Sequence, residues 1–137
     1  LAVPEDATYE KISEIGFPSD LNLFYDVKIL DTIKDIILLK KSALRLLYVS
    51  SKGEELNANQ IKIKNLLLDY YKENECTFHE VTGKNLDESV QCFTESRDLD
   101  MLIMVAKNLN FLERILFRPT VEKISYHTKV PFLVIHE

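Results

Sequence analysis

The sequence predicts an α/β fold, an open five-stranded parallel sheet with helices on both faces. Two observations carry this. Short apolar runs alternate with stretches whose apolar residues recur every three or four positions, in the order β-α-β-α-β-α-β-α-β. The strongest runs, Ala43 to Val49 and Leu99 to Val105, lack polar alternation, as strands covered on both faces do. A third observation concerns the loops. The 137 residues include three glycines, Gly16, Gly53 and Gly83, and no two sit close together. Average usage of about 7% would give roughly ten. A loop that wraps phosphates with backbone N–H groups needs clustered glycines, because only they reach φ > 0 freely and let a ligand approach the chain. A P-loop and a G-x-G-x-x-G fingerprint are therefore excluded.

The elements follow in order. Residues 1–11 are polar, contain Pro4 and read as a lead-in or linker, and residues 12–137 read as one domain. Ile15-Gly16-Phe17 is a short strand that stops at Pro18-Ser19-Asp20. Leu23, Val27, Leu30, Ile33 and Ile37 then mark one helical face, with Lys40 and Lys41 where cations suit the helix end. Ala43 to Val49 is the second strand, and Ile63, Leu67, Tyr70 and Tyr71 mark the second helix. Thr77 to Val81 is a weaker strand. Asn85-x-x-Glu88 has the spacing of a capping box, followed by Leu86, Val90 and Phe93 on one face. Leu99 to Val105 is the fourth strand, and Phe111, Leu112, Ile115 and Leu116 begin a helical stretch. Pro119 suits the first position of a further helix carrying Val121 and Ile124, with His127 near its end. Val130 to Ile135 closes the sheet. Right-handed crossovers leave few topologies, and ligands of such sheets bind beyond the carboxyl ends of the strands. Those ends are Pro18-Ser19-Asp20, Val49-Ser50, Val81-Thr82-Gly83 and Val105 to Asn108.

Composition narrows the function. Seventeen Lys and Arg against twenty-two Asp and Glu give a net charge of −5. That argues against nucleic acid or an anionic membrane as the main partner. The apolar runs fall short of the ~20 residues of a spanning helix. Cys76 and Cys92 lack metal spacing, so free, buried thiols in a reducing, cytoplasmic setting are expected. His79, His127 and His136 are far apart and form no metal or nucleophile–base set. Glu113-Arg114 reads as a surface pair, and Tyr70-Tyr71 as core.

The sequence resembles the universal stress protein family from about Ile12 to its end. Phe17-Pro18-Ser19-Asp20 is similar to the V-P-T-D closing the family's first strand, and Leu46-Leu47-Tyr48-Val49 to its L-L-H-V. Asp100-Met101-Leu102-Ile103-Met104 matches D-L-I-V-M, and Leu112-Glu113-Arg114-Ile115-Leu116 matches L-x-R-L-L. Val121-Glu122-Lys123-Ile124, His127 and Pro131-Phe132-Leu133-Val134-Ile135 match the closing motif. The resemblance implies strand order 3-2-1-4-5, the adenine nucleotide alpha hydrolase-like arrangement. It also places the family's nucleotide signature, G-x-x-G, nine residues, then G-[ST], directly after the fourth strand. Here its glycines fall on Val105, Asn108 and Arg118, and its Ser/Thr on Pro119, so none is kept. Pro119 also lacks an N–H donor.

The resemblance implies a stress-response role. The expectation is association rather than catalysis, with no cofactor. The alternative is a nucleotide sensor holding ATP or AMP in a remodelled pocket. Residues of such a pocket are Pro18, Ser19, Asp20, Val49, Val105, Lys107, Asn108, Arg118, Pro119 and Thr120. Asp20 falls where the family has an Asp near the adenine, yet it also suits a helix cap. Arg118 reads first as a solvent-facing side chain blocking the old site, and second as an anion-binding fork. The resemblance also implies pairing through the last strand, at Val130, Phe132 and Val134, and an open apolar edge gives a physical reason to expect a partner. That partner is a second copy, a sister domain or another protein. Leu1-Ala2-Val3-Pro4-Glu5 echoes Leu133 to Glu137, which suggests the tail of an upstream sister domain. A phosphoacceptor receiver domain shares the β/α order, but Val105 stands where its Asp would be, so that reading ranks low.

Overall fold

The computed structural model describes residues 11–107, 109–119, 124–126 and 130–136. Strands β1 (Glu14–Pro18), β2 (Ala43–Ser50), β3 (Cys76–Thr82), β4 (Met101–Val105) and β7 (Phe132–Ile135) form one parallel sheet in the order β3-β2-β1-β4-β7. Helices α1 (Val27–Lys40), α2 (Ala58–Tyr70), α3 (Leu86–Ser96) and α4 (Leu109–Leu116) lie between the strands. The strand order is the one the family resemblance implies, and it reverses between β1 and β4.

The two-residue period of the strands divides the core between two faces. Ile15, Phe17, Leu44, Leu46, Met101, Ile103 and Val105 face α1 and α2, whose Ile29, Ile33, Ile37, Ile63 and Leu67 cover them. Leu47, Leu102, Met104 and Phe132 point the other way, against Leu86, Val90 and Phe93 of α3 and Ile115 of α4. Burying each such side chain contributes about 1.5–3 kcal/mol. Tyr71 is fully buried, and its hydroxyl donates to the Leu30 carbonyl at 2.9 Å, which ties the end of α2 to α1. Asp100 fixes the start of β1: its Oδ2 accepts from the Ser13 and Glu14 N–H groups at 2.8 and 2.9 Å.

Local chemistry moves several boundaries. The face predicted to start at Leu23 begins later. Asp26 is the N-cap of α1 and accepts from the Lys28 N–H, which leaves Leu23 and Val27 39% and 61% exposed. Asp20 therefore does not cap this helix. Asn85 is the N-cap of α3, but its side chain makes no cap bond and instead donates to Glu88 Oε2 at 3.0 Å. A reciprocal box stands at α2 instead: Asn57 Oδ1 accepts from Gln60 N, and Gln60 Oε1 accepts from Asn57 N. Cys92 is exposed and Cys76 is half-buried, so the expectation of two buried thiols fails.

The helix expected to open at Pro119 is replaced by a two-stranded antiparallel ribbon. Strands β5 (Phe117–Pro119) and β6 (Ile124–Tyr126) pair with Arg118 opposite Ser125. Phe, Ile and Tyr favour extended backbone, and proline's fixed φ suits a ribbon edge as well as a helix start. Val121 and His127 lie outside the described residues.

Candidate functional site

The ends of β1, β2 and β3 and the start of α4 surround the site. β1 is anchored where it stops, because the Ser19 N–H donates to the Leu47 carbonyl at 2.9 Å. The Ser19 side chain is buried. Its Oγ lies 2.6 Å from the Tyr25 hydroxyl and accepts from the Leu21 N–H at 3.1 Å. Burial is the main cause pushing the Tyr25 hydroxyl up to about 12, with Ser19 opposing and Asp20 adding to the shift. Asp20 Oδ1 accepts from the Asn22 N–H at 3.1 Å, an Asx turn. Between these two turns Leu21 sits at φ 59°, held there by burial of its side chain. The turn thus points Asp20 away from the core while keeping it at the strand end.

Two hollows meet at Asp20 and Phe111. The first lies at the reversal of strand order and is bounded by Pro18, Tyr25, Val105, Lys107 and Leu112 as well. Its free volume is only about 10 Å3, at the lower limit for a single water. Val105 is 9% exposed and belongs to the core on the α1/α2 side. Lys107 Nζ donates to the Phe24 carbonyl, which ties the β4–α4 connection to the β1–α1 loop. The second hollow, about 360 Å3, opens on the other side of Asp20, between the ends of β1, β2 and β3. Tyr48, Val49, Gln60, Gly83 and Lys84 line it from β2, α2 and the β3–α3 turn, and Asn110 and Arg114 from α4.

The second hollow is braced by hydrogen bonds. Gln60 is buried, and its Nε2 donates to the Asp20 carbonyl at 3.2 Å and to the Tyr48 hydroxyl at 3.4 Å. The Gly83 N–H donates to the Ser50 carbonyl at 2.9 Å, which closes the β3 end onto β2. A methyl on Gly83 would stand 2.0 Å from Ser89 Oγ and 3.3 Å from its Cβ, so the Ser89 hydroxyl would have to turn away to admit a larger residue where α3 starts.

The structure therefore splits the predicted residues. Asp20 and Val49 face the larger hollow, while Pro18, Val105 and Lys107 bound the filled one. Ser19 supports the turn from below. Arg118 and Pro119 lie in β5, away from the helix start predicted for them. Asn108 and Thr120 lie outside the described residues. On β7, Phe132 is 3% exposed and turned into the α3/α4 side of the core, and Val134 is half-buried against the same cluster; Val130, expected to open this strand, lies ahead of it and is half-buried there too. Tyr48, Gln60, Lys84, Asn110 and Arg114 are site residues that sequence reasoning does not single out. Lys84 had a signal, since it follows the strand end Val81-Thr82-Gly83. Arg114 had one in its place within the L-x-R-L-L match. Among the described residues no cluster of His, Cys, Asp and Glu is arranged to hold a metal ion.

The sequence matches the model of the universal stress protein family over residues 28–136. This chain belongs to the universal stress protein family. The fold of this universal stress protein domain recurs in solved structures. A universal stress protein in complex with cAMP aligns with a TM-score of 0.64 at 13% identity, over 93% of this chain and 98% of that one. A family protein from Burkholderia pseudomallei aligns with a TM-score of 0.61 at 15% identity, over the same shares of 93% and 98%. UspA from Lactobacillus plantarum gives 0.56 at 12% identity, covering 93% and 99%. A search of the curated proteins finds no match. At such identities the likeness to solved structures concerns the fold.

Proposed function

We propose that this universal stress protein domain is a non-catalytic module of a stress response that works by association. Its partner surface is the β7 edge, and its partner is a second copy, a tandem sister domain or another protein. The setting proposed is the cytoplasm, where the free thiols of Cys76 and Cys92 stay reduced. The observation that carries the reading is the filled crevice between β1 and β4. Val105 and Pro119 stand where the family's signature has glycine and Ser/Thr, and about 10 Å3 of space remains beside Val105 and Lys107. Nucleotide phosphates need backbone N–H groups and room at that point. Catalysis lacks support in the same region. The Ser19 hydroxyl is bonded to Tyr25 and to the Leu21 N–H, and neither is a base that would activate it.

The second reading is ATP or AMP in a remodelled pocket. The larger hollow favours it, because Asp20 and Val49 still face open space there. A fold relative in complex with cAMP adds to it.

Sedimentation over a range of concentrations and thermal-shift titration with ATP, ADP and AMP separate the readings. The association reading expects dimers that Val134→Lys weakens, and no nucleotide shift. A monomer at high concentration, or a clear shift at micromolar nucleotide, overturns it.

A further inference from the structure

We infer that the hollow between the ends of β1, β2 and β3 is a binding site for a phosphorylated, hydroxyl-rich small molecule of the sugar-phosphate class. The site lies beside the filled crevice and uses side chains instead of a glycine loop. Three charged residues line it: Asp20, Lys84 and Arg114. Two cations against one carboxylate make it locally positive in a chain of net charge −5. Among the described residues neither Lys84 nor Arg114 takes part in an ion pair. An Arg fork and a Lys ammonium from two different elements suit the spread oxygens of a phosphate monoester. The remaining wall is mostly polar, with Gln60 and Asn110 among its hydrogen-bonding side chains. Asp20 adds a carboxylate acceptor, which suits hydroxyl donors. The volume of about 360 Å3 falls at the small end of ligand pockets, which start near ~300 Å3.

The test is isothermal titration of the full chain with ribose 5-phosphate and glucose 6-phosphate. The free sugars and inorganic phosphate are run beside them. Both sugar phosphates are expected to bind saturably, and more tightly than sugar or phosphate alone. Arg114→Gln and Lys84→Gln should each weaken binding by about tenfold or more, the loss of a charge-assisted hydrogen bond. Lys84→Arg should retain it, and Lys72→Gln, in the exposed turn after α2 and outside the hollow's lining, should leave it unchanged. Both Gln variants change exposed side chains, so their unliganded melting temperatures should match the parent's. No saturable binding, or binding that survives both Gln substitutions together, overturns the proposal. Sedimentation of the same samples reads the association proposal independently of either result.

Discussion

A methyl built on Gly16 would stand 2.6 Å from Leu99 Cδ1 and 2.9 Å from Leu102 Cδ2. Both leucines are buried and have little freedom to move. Gly16→Ala should therefore lower stability by about 1–3 kcal/mol, the cost of overpacking, measured by urea unfolding. The cysteines give a second prediction at this scale. Burial pushes the Cys76 thiol up to about 11, with nearby Arg45 pulling the other way. Cys92 is exposed on α3. A thiol reagent at pH 8 should label Cys92 promptly and Cys76 only on unfolding, and equal rates would contradict this. The exposure of Cys92 was legible in principle. Leu86, Val90 and Phe93 form the buried stripe, and position 92 falls off it. Residue type alone does not carry that period.

Among the elements, α1 shows what periodicity resolves and what it misses. Ile33 and Ile37 lie on the predicted face and are buried, whereas Leu23 and Val27 continue the spacing and are exposed. Apolar spacing cannot mark where a helix starts, while a cap such as Asp26 does. The same limit explains the ribbon after α4. Pro119 and Ile124 fit a helical pattern, yet isoleucine favours strands and proline is tolerated at a strand edge. The strands themselves were legible, because their unbroken apolar runs require two covered faces. The larger hollow was not, because Gln60, Lys84 and Arg114 come together only through the topology. α1 also ends in an unfavourable way, with Lys41 at φ 54° as its C-cap. Lys41→Gly relieves that left-handed backbone and should raise stability by about 0.5–1 kcal/mol, read as a higher melting temperature.

For the whole molecule, an acid sensitivity is expected from His79 on the β3 edge. His79 Nε2 lies 2.7 Å from Thr77 Oγ1, and Arg97 Nη2 donates to its Nδ1 at 3.1 Å. Arginine cannot accept, so this contact needs an unprotonated Nδ1. Burial first, then Arg97 and Arg45, hold the imidazole below its ordinary value of 6.5, while Glu14 opposes them. The unfolded chain therefore takes up a proton sooner than the folded one as pH falls below 6.5. Stability is full above that point and declines beneath it. Melting temperature should drop from pH 6.5 towards about pH 5, before most carboxylates titrate, and His79→Gln should flatten the drop. The filled crevice carries a different kind of consequence. Val105 belongs to the packed interior, so a glycine there would remove buried carbons and loosen a strand end. Val105→Gly should lower stability by about 2–4 kcal/mol, checked by urea unfolding, before any ligand could compensate. A glycine at this strand end would thus cost the fold before it could open room for a ligand, so packing and ligand space compete for the same few carbons.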